Sequence, residues 1–543
     1  MQKESALLRK AHQSQLIYED IVERFGIRSI PTTFIADDGR ERQFKRACGK
    51  ANPFPMPYRI MLGKNRRDAM EQLFNDEKVL QTPAIAAALA ACSSLAAEIG
   101  GLRGDDVSGA ETYCDVAFAG LQALRVYMAD YDDKKFGKVR AESSARVKGA
   151  FDGTCATGKY LAGDGRYVSF HVFYQSQQKK LVQALGLPKP SEEFTVLTKK
   201  KDMKMISEVV SKYKAQELEE LAFNCGATGC MLRTREEWES TEVGKAVMAM
   251  PLARITKESS TPVPEWGRPD ARGPLSGIKV LDLTHIIAGP VCSRLLAEYG
   301  ADVLLVRRGR FIDQEQACTE LDGWAGKHSI QLDFNIPEQL ERAKELIKQA
   351  DVITYSYQNG ALDKFGLSEA EIRELNPGVI YSNIMCFSDT VWKERPGWAP
   401  LAEDITGLSY RNGSRDVPKN LNGVPLDYFP VMLMTIGTLR AIADKLREGG
   451  GYKVTASLSR GAQYLHECTD LCENSSGTEV ITSRLARSTG NPMWSTLLQY
   501  VSGCAIPGRI GFPSPAVWNT AYPMRLENMV FTEGSLGWAD KGK

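Results

Sequence analysis

The residues best placed to do chemistry gather in one loop. An apolar run of strand length, Ile278, Val280, Leu281 and Leu283, is broken by Ala288-Gly289-Pro290, with the proline placed to open a helix. Val291, Leu295, Leu296 and Tyr299 then recur at helical spacing up to Gly300, and 303–306 reads as a second strand. This is one βαβ unit, the start of a parallel sheet. Thr284, His285, Ile286 and Ala288 therefore fall in a strand-to-helix loop at the carboxyl edge of that sheet, where open α/β folds bind ligands and helix amides face anions. Taken alone, His285 reads more readily as a loop or core histidine, and Arg307, Arg308 and Arg310 as a solvated basic turn. Gly289 stands without the two partner glycines of a dinucleotide fingerprint, so neither NAD nor FAD is expected.

A second candidate is Asp427. It directly precedes a long apolar helix pattern over 428–446 with Pro430 in its first turn, so its plainest role is an N-cap. A helix N-terminus also favours the ionised carboxylate, and an aspartate near its ordinary pKa is charged at neutral pH, so a cap could also serve chemistry without a general base.

The surrounding chain sets limits. Its 543 residues allow two to four domains with substantial cores, and 68 basic against 67 acidic side chains give no reason to expect nucleic acid or an anionic membrane as partner. The 12 cysteines are scattered; the closest pairs, Cys225 with Cys230 and Cys468 with Cys472, lack the two paired clusters of a zinc site. They read as structural thiols in a reducing compartment, with no metal expected. No apolar run is read as membrane-spanning, Glu4, Glu19 and Asp20 argue against a transit peptide, and the C-terminal Ala-Asp-Lys-Gly-Lys is no peroxisomal address. A cytoplasmic enzyme acting on a small molecule is the expectation.

Before the central unit, the alanine-rich 83–101 predicts a buried or half-buried helix, followed by a strand over 107–113 and a helix over 116–128. The same succession returns as a helix over 428–447, glycines at 449–451 and a strand over 452–458. Aligning Val107 with Val454, this reads as an internal duplication, against the plain alternative that helix-turn-strand units are common. Residues 152–260 form a distinct unit, with a half-buried strand over 167–173, and the proline-rich 259–275 reads as a linker rather than a packed element.

The stretch VLDLTHIIAGPVCSRLLAEYGADVLLV over 280–306 resembles the opening of the class III CoA-transferases, the superfamily that also holds α-methylacyl-CoA racemase. Further short matches follow in the family's order: Lys327-His328-Ser329-Ile330-Gln331-Leu332-Asp333, Leu362-Asp363-Lys364-Phe365-Gly366-Leu367, Arg395-Pro396-Gly397 and Gly423-Val424-Pro425-Leu426-Asp427. Asp164-Gly165-Arg166-Tyr167-Val168 resembles a strand opening of the family's small domain. The resemblance implies an α/β fold, a Rossmann-like parallel-sheet large domain with a smaller α+β domain. It divides the chain into a degenerate large-domain-like fragment (1–150), a small domain (151–260), a linker (261–275), a large domain (276–470) and a C-terminal extension (471–543).

It also implies chemistry. Asp427, standing ten residues before Gly437 as the family's nucleophile stands before a helix glycine, would attack an acyl-CoA thioester and pass CoA between carboxylic acids through an aspartyl thioester. Thr284, His285, Ile286, Ala288, Arg308 and Lys327 carry over as contacts to coenzyme A, the substrate's thiol carrier, and the family's interlocked chains imply a possible homodimer. Departures are visible: Ile287 stands where the formyl-CoA transferase branch has Gln, Arg307 where the second strand ends in Glu, Gln358-Asn359-Gly360 for Arg-Pro-Gly, and Trp398-Ala399 where the racemase branch has His-Asp. An isomerase, racemase or lyase using Asp427 as general base is the alternative enzyme, and a non-catalytic scaffold the alternative to any enzyme. At the place of Asp427 the first copy offers 79–82, without a carboxylate, so one site per chain is expected, bounded by Asp427 and the loop 153–158.

Overall fold

A computed structural model describes residues 6–36, 78–125, 130–131, 156–172, 174–187, 200–307, 321–474, 498–501, 510–513, 515–522, 532–533 and 538. The chain begins with α1 (Ala6–Phe25) and β1 (Thr32–Ile35), then α2 (Gln81–Leu102), β2 (Thr112–Asp115) and α3 (Val116–Gln122). Alanine-rich α2 has high helix propensity and apolar residues on every side, so it is stable only inside the protein. It is buried without interruption from Gln81 to Ala97. The strand expected over 107–113 forms only from Thr112, because the Ser108 N–H donates to Asp106 Oδ1 and turns the chain first.

The middle unit is a three-stranded antiparallel sheet of β3 (Gly158–Leu161), β4 (Tyr167–Phe170) and β5 (Gly229–Met231). It has its own core, including Phe170, Leu181, Val210 and Leu218, which runs from Ala156 to Met231. Beyond that point Trp238, Val243 and Val247 pack into the main core, and β6 (Arg254–Lys257) joins the main sheet. The small unit's own core is thus shorter than the 151–260 read from sequence. The segment 261–275 forms no regular helix or strand, yet it is pinned rather than loose. The Arg103 guanidinium donates to the carbonyls of Trp266, Gly267, Pro274 and Ser276, and Trp266 Nε1 donates to Asp351 Oδ1 at 2.9 Å.

The main sheet follows with β7 (Lys279–Leu283), α4 (Ala288–Glu298), β8 (Asp302–Arg307), β9 (His328–Gln331), β10 (Val352–Tyr355), β11 (Ile380–Met385), α5 (Pro425–Glu448), β12 (Tyr452–Ser457) and α6 (Leu458–Asn474). Two short C-terminal strands, β13 (Val517–Asn519) and β14 (Thr532–Glu533), complete the set used below. The strand order is β14-β9-β8-β7-β10-β11-β12-β6, parallel throughout except for the last pair. The run Val303, Leu304, Leu305, Val306 is buried throughout, as a strand covered on both faces requires. From β7 the chain winds one way to β8 and later returns to the other side with β10. The order therefore reverses between β7 and β10.

The three-strand edge β11-β12-β6, parallel then antiparallel, occurs a second time as β1-β2-β13. In both, the strand runs straight into a helix whose first turn is capped by the strand's last side chain: Asp115 Oδ1 accepts from Phe118 N and Ser457 Oγ from Arg460 N, each at 3.1 Å. The repeat thus aligns Asp115 with Ser457, not Val107 with Val454, because the helix-to-strand connection is longer in the first copy (103–111) than in the second (449–451). The two long helices preceding these strands, α2 and α5, pack against each other. Both are long and apolar enough to cross a membrane, contrary to the sequence expectation, and both are core helices here.

Candidate active site

A parallel sheet leaves a crevice where its strand order reverses, since the connections on either side of that point leave in opposite directions. Here a cavity of ≈ 290 Å³ lies at the ends of β7 and β10, lined by 285–289 after the first strand and by 356–359 after the second. Asp427 and Trp398 complete it from the large domain, and Tyr174 and Gln177 from the small unit.

The β7 loop is held from beneath. Buried Asp282 accepts from Thr284 N at 3.0 Å and from Ser293 Oγ at 2.6 Å, and its Oδ2 pairs with Lys327 Nζ at 2.6 Å. Gly289 is required by close approach: a Cβ there would lie 2.6 Å from side-chain atoms of both Thr284 and Ser356. Ile286 takes φ 66°, a left-handed conformation costly for a β-branched residue, and strain of this kind concentrates at functional sites. The His285 N–H donates to Ser356 Oγ at 3.2 Å, joining the two loops.

Rings line one wall. His285 stacks on Tyr357 with centroids 4.3 Å apart and planes 8° from parallel; Tyr174 lies 6.4 Å from His285 and 5.8 Å from Trp398. Burial pushes the His285 imidazole down to about 4, so it is neutral at physiological pH. Gln358 and Asn359, noted above as departures, donate to the carbonyls of Glu394 and Lys393, each at 2.8 Å, and tie the β10 loop to the segment before Pro396.

Asp427 is not the N-cap its position suggested. The helix begins at Pro425, three residues before the expected 428, Val424 is the cap residue, and Asp427 lies inside the first turn. Its carboxyl lines the cavity, and among the described residues no hydrogen bond or ion pair reaches it. Burial, and then the negative charge of Glu403, push it up to about 8. The sequence expectation of an ordinary, ionised aspartate is therefore corrected. Glu403 is itself raised to about 7 by burial, partly offset because its Oε2 accepts from Leu421 N and Asn420 Nδ2, each at 2.8 Å.

Of the other residues carried over as coenzyme A contacts, His285, Ile286 and Ala288 line this cavity. Thr284 lies beneath it, bonded to Asp282. Arg308 falls outside the described residues. Lys327 is turned inward, only 1% exposed, with its ammonium held by Asp282, by Ser293 Oγ at 2.7 Å and by Pro290 O at 2.9 Å. It supports the loop rather than facing the cavity. Lys327→Gln is accordingly expected to leave coenzyme A affinity of the folded protein within about twofold, whereas removing a phosphate partner costs far more; a calorimetric titration decides. Of the loop 153–158, residues 153–155 are outside the described set and the rest do not line the cavity; Tyr174 and Gln177 are the small unit's contribution. Sequence reading gave no role to Tyr174, Tyr357, Gln177 or Glu403.

The fold is thus an α/β sheet whose strand-order reversal carries a crevice lined by an acid without a partner among the described residues. Residues 275–493 match the model of CoA-transferase family III. An acyl-CoA transferase of Gibberella moniliformis (strain M3125 / FGSC 7600) is 32% identical over 378 residues, 64% of this chain and 63% of that protein. The acetyl-coenzyme A transferase nodX of Hypoxylon pulicicidum is 28% identical over 336 residues, 59% of this chain and 56% of that protein. The crystal structure of a CAIB/BAIF family protein from Brucella suis aligns with 38% of this chain and 59% of its own at 26% identity and a TM-score of 0.33. The chain spans less than two thirds of the length of these curated relatives.

Proposed function

We propose that the protein transfers coenzyme A from an acyl-CoA to a second carboxylic acid, with Asp427 as the nucleophile. The observation that carries this reading is a carboxyl group facing a switch-point cavity without a partner among the described residues. The Asp427 carboxylate adds to the thioester carbonyl, the C–S bond breaks, and coenzyme A leaves as thiolate, giving a mixed anhydride. The thiolate then attacks the aspartyl carbonyl, releasing the first acid as carboxylate and leaving an aspartyl thioester. A second acid repeats the exchange in reverse: its carboxylate displaces thiolate, and the thiolate takes up the new acyl group while Asp427 is regenerated.

Burial adds a condition, because the nucleophile is the ionised form and enclosure holds the proton on Asp427 up to about 8. Formation of the aspartyl adduct should therefore rise with pH through that region and level off above it, where an unperturbed aspartate would give a flat profile from weakly acidic pH upward. Acyl-CoA loading followed by hydroxylamine trapping and peptide mass spectrometry reads this directly. Absence of an Asp427 adduct on both sides of that pH would remove the nucleophile assignment. A carboxyl raised this far also suits a general base, the role it would have in an isomerase or lyase. That reading predicts exchange of an acyl α-hydrogen with solvent deuterium and no adduct.

A further inference from the structure

We propose, building on the transfer reading above, that the acid that receives coenzyme A here is a monocarboxylic acid with a planar apolar body, an aryl or arylacrylic acid, seated against the ring wall of His285, Tyr357, Tyr174 and Trp398. The wall is a continuous surface: the His285 and Tyr357 rings are nearly parallel at 4.3 Å, and Tyr174 bridges from His285 to Trp398 at 6.4 and 5.8 Å. Planar groups pack on such rings in offset or edge-on arrangements. The imidazole within it is buried and neutral at physiological pH, so it presents a ring and not a charge. Where the racemase branch of the resembling family carries a polar His-Asp pair, this cavity presents the indole of Trp398.

A dicarboxylate would bring a second charge into this cavity. A distal carboxylate needs an available cation in the enclosed part of the site. Among the described lining residues the cations are Lys393 and Arg395. Arg395 is committed elsewhere, with Nη2 bonded to both carboxylate oxygens of Glu220 at 2.6 and 2.7 Å and the guanidinium over the Trp392 ring at 3.9 Å and the Phe223 ring at 4.5 Å. The Lys393 side chain is 57% exposed, and its ammonium lies 3.8 Å from Glu394. Neither offers a desolvated positive charge to a second carboxylate. Of the side chains that the small unit brings to the cavity, Tyr174 and Gln177 are both uncharged, and the Gln177 Oε1 is buried with no hydrogen-bond partner among the described residues.

The test uses the full chain with acetyl-CoA as donor and cinnamate, benzoate or succinate as acceptor, reading the new thioesters by mass spectrometry. We expect kcat/KM for cinnamate to exceed that for succinate by about tenfold, the upper end for one good ring contact. In Trp398→Ala the cinnamate KM is expected to rise about tenfold while kcat falls much less, the pattern of a residue that binds rather than reacts. Equal or better use of succinate, or a Trp398→Ala loss confined to kcat, overturns the inference. A second readout separates it from the transfer reading. If no acid yields a thioester, transfer itself fails, and equilibrium binding decides the ring wall: saturable quenching of tryptophan fluorescence by cinnamate, absent with succinate and lost in Trp398→Ala, supports it, and equal response to both acids removes it.

Discussion

Asp427→Asn is expected to abolish adduct formation and lower kcat by on the order of 10⁴-fold or more, the scale seen when a nucleophile is removed, while making the folded protein more stable than the parent. The second half follows from the proton. The native carboxyl titrates near 8 and an unfolded aspartate near its ordinary value, so between those two pH values the native chain holds a proton that the unfolded chain has lost. Stability contributed by a group with a raised acidic pKa therefore falls as pH rises through that window. Asparagine carries no such linkage and fits the same space. The gain in melting temperature over the parent should be small at pH 4, grow steadily toward pH 8 and then level off. Because Asp427 is not the N-cap, no capping bond is lost in either the Asn or the Ala variant, and Asp427→Ala should also remain folded. An Asn variant that keeps more than a few per cent of activity, or whose melting temperature tracks the parent at every pH, contradicts the assignment.

How far the site was legible in the sequence depends on how local its causes are. The β7 loop is set by neighbours in sequence, a strand, a lone glycine and a proline, and the residues 285, 286 and 288 read from it do line the cavity. The start of α5 carried a local signal that was passed over: Pro425 suits the first helical position, which puts Asp427 inside the turn and not before it. Lys327 was read as a cofactor contact because a basic residue in a polar stretch has no mark of burial, and its partner Asp282 lies on another strand. The ring wall draws on Tyr174 from the small unit and on Tyr357 and Trp398 from two separate loops, so no spacing announces it. The raised Asp427 pKa is equally non-local, since desolvation comes from the enclosure and the charge of Glu403 from another helix. The repeated three-strand edge shows an intermediate case: the order of elements was visible, and the register was not, because a longer loop in the first copy displaced it.

The N-terminal fragment supplies Arg125 to a buried charge cluster that reaches the first turn of α5, which carries Asp427. Arg125 Nε bonds Asp322 Oδ1 and its Nη2 lies 3.7 Å from Glu298; Arg294 pairs with Glu298 and lies 3.6 Å from Asp322. All four side chains are at most 3% exposed. Tyr428, the residue after Asp427, donates its hydroxyl to Asp322 Oδ2 at 3.0 Å, so the cluster also fixes the first turn of α5. Burial opposes the charge on Asp322, yet Arg294 and Arg125 together hold its pKa below the usual carboxylate value. With two positive and two negative members the cluster is balanced, and removing one side chain leaves a buried charge uncompensated. Arg125→Met should therefore cost about 3–5 kcal/mol of stability, measured by urea denaturation, and lower kcat by loosening the turn that carries Asp427. Adding Asp322→Asn removes the stranded charge while keeping an acceptor for Tyr428, so the double variant should recover more than half of the loss. Additive losses in that cycle, or an Arg125→Met cost below about 1 kcal/mol as at an exposed pair, would show that the fragment does not brace the site through this cluster.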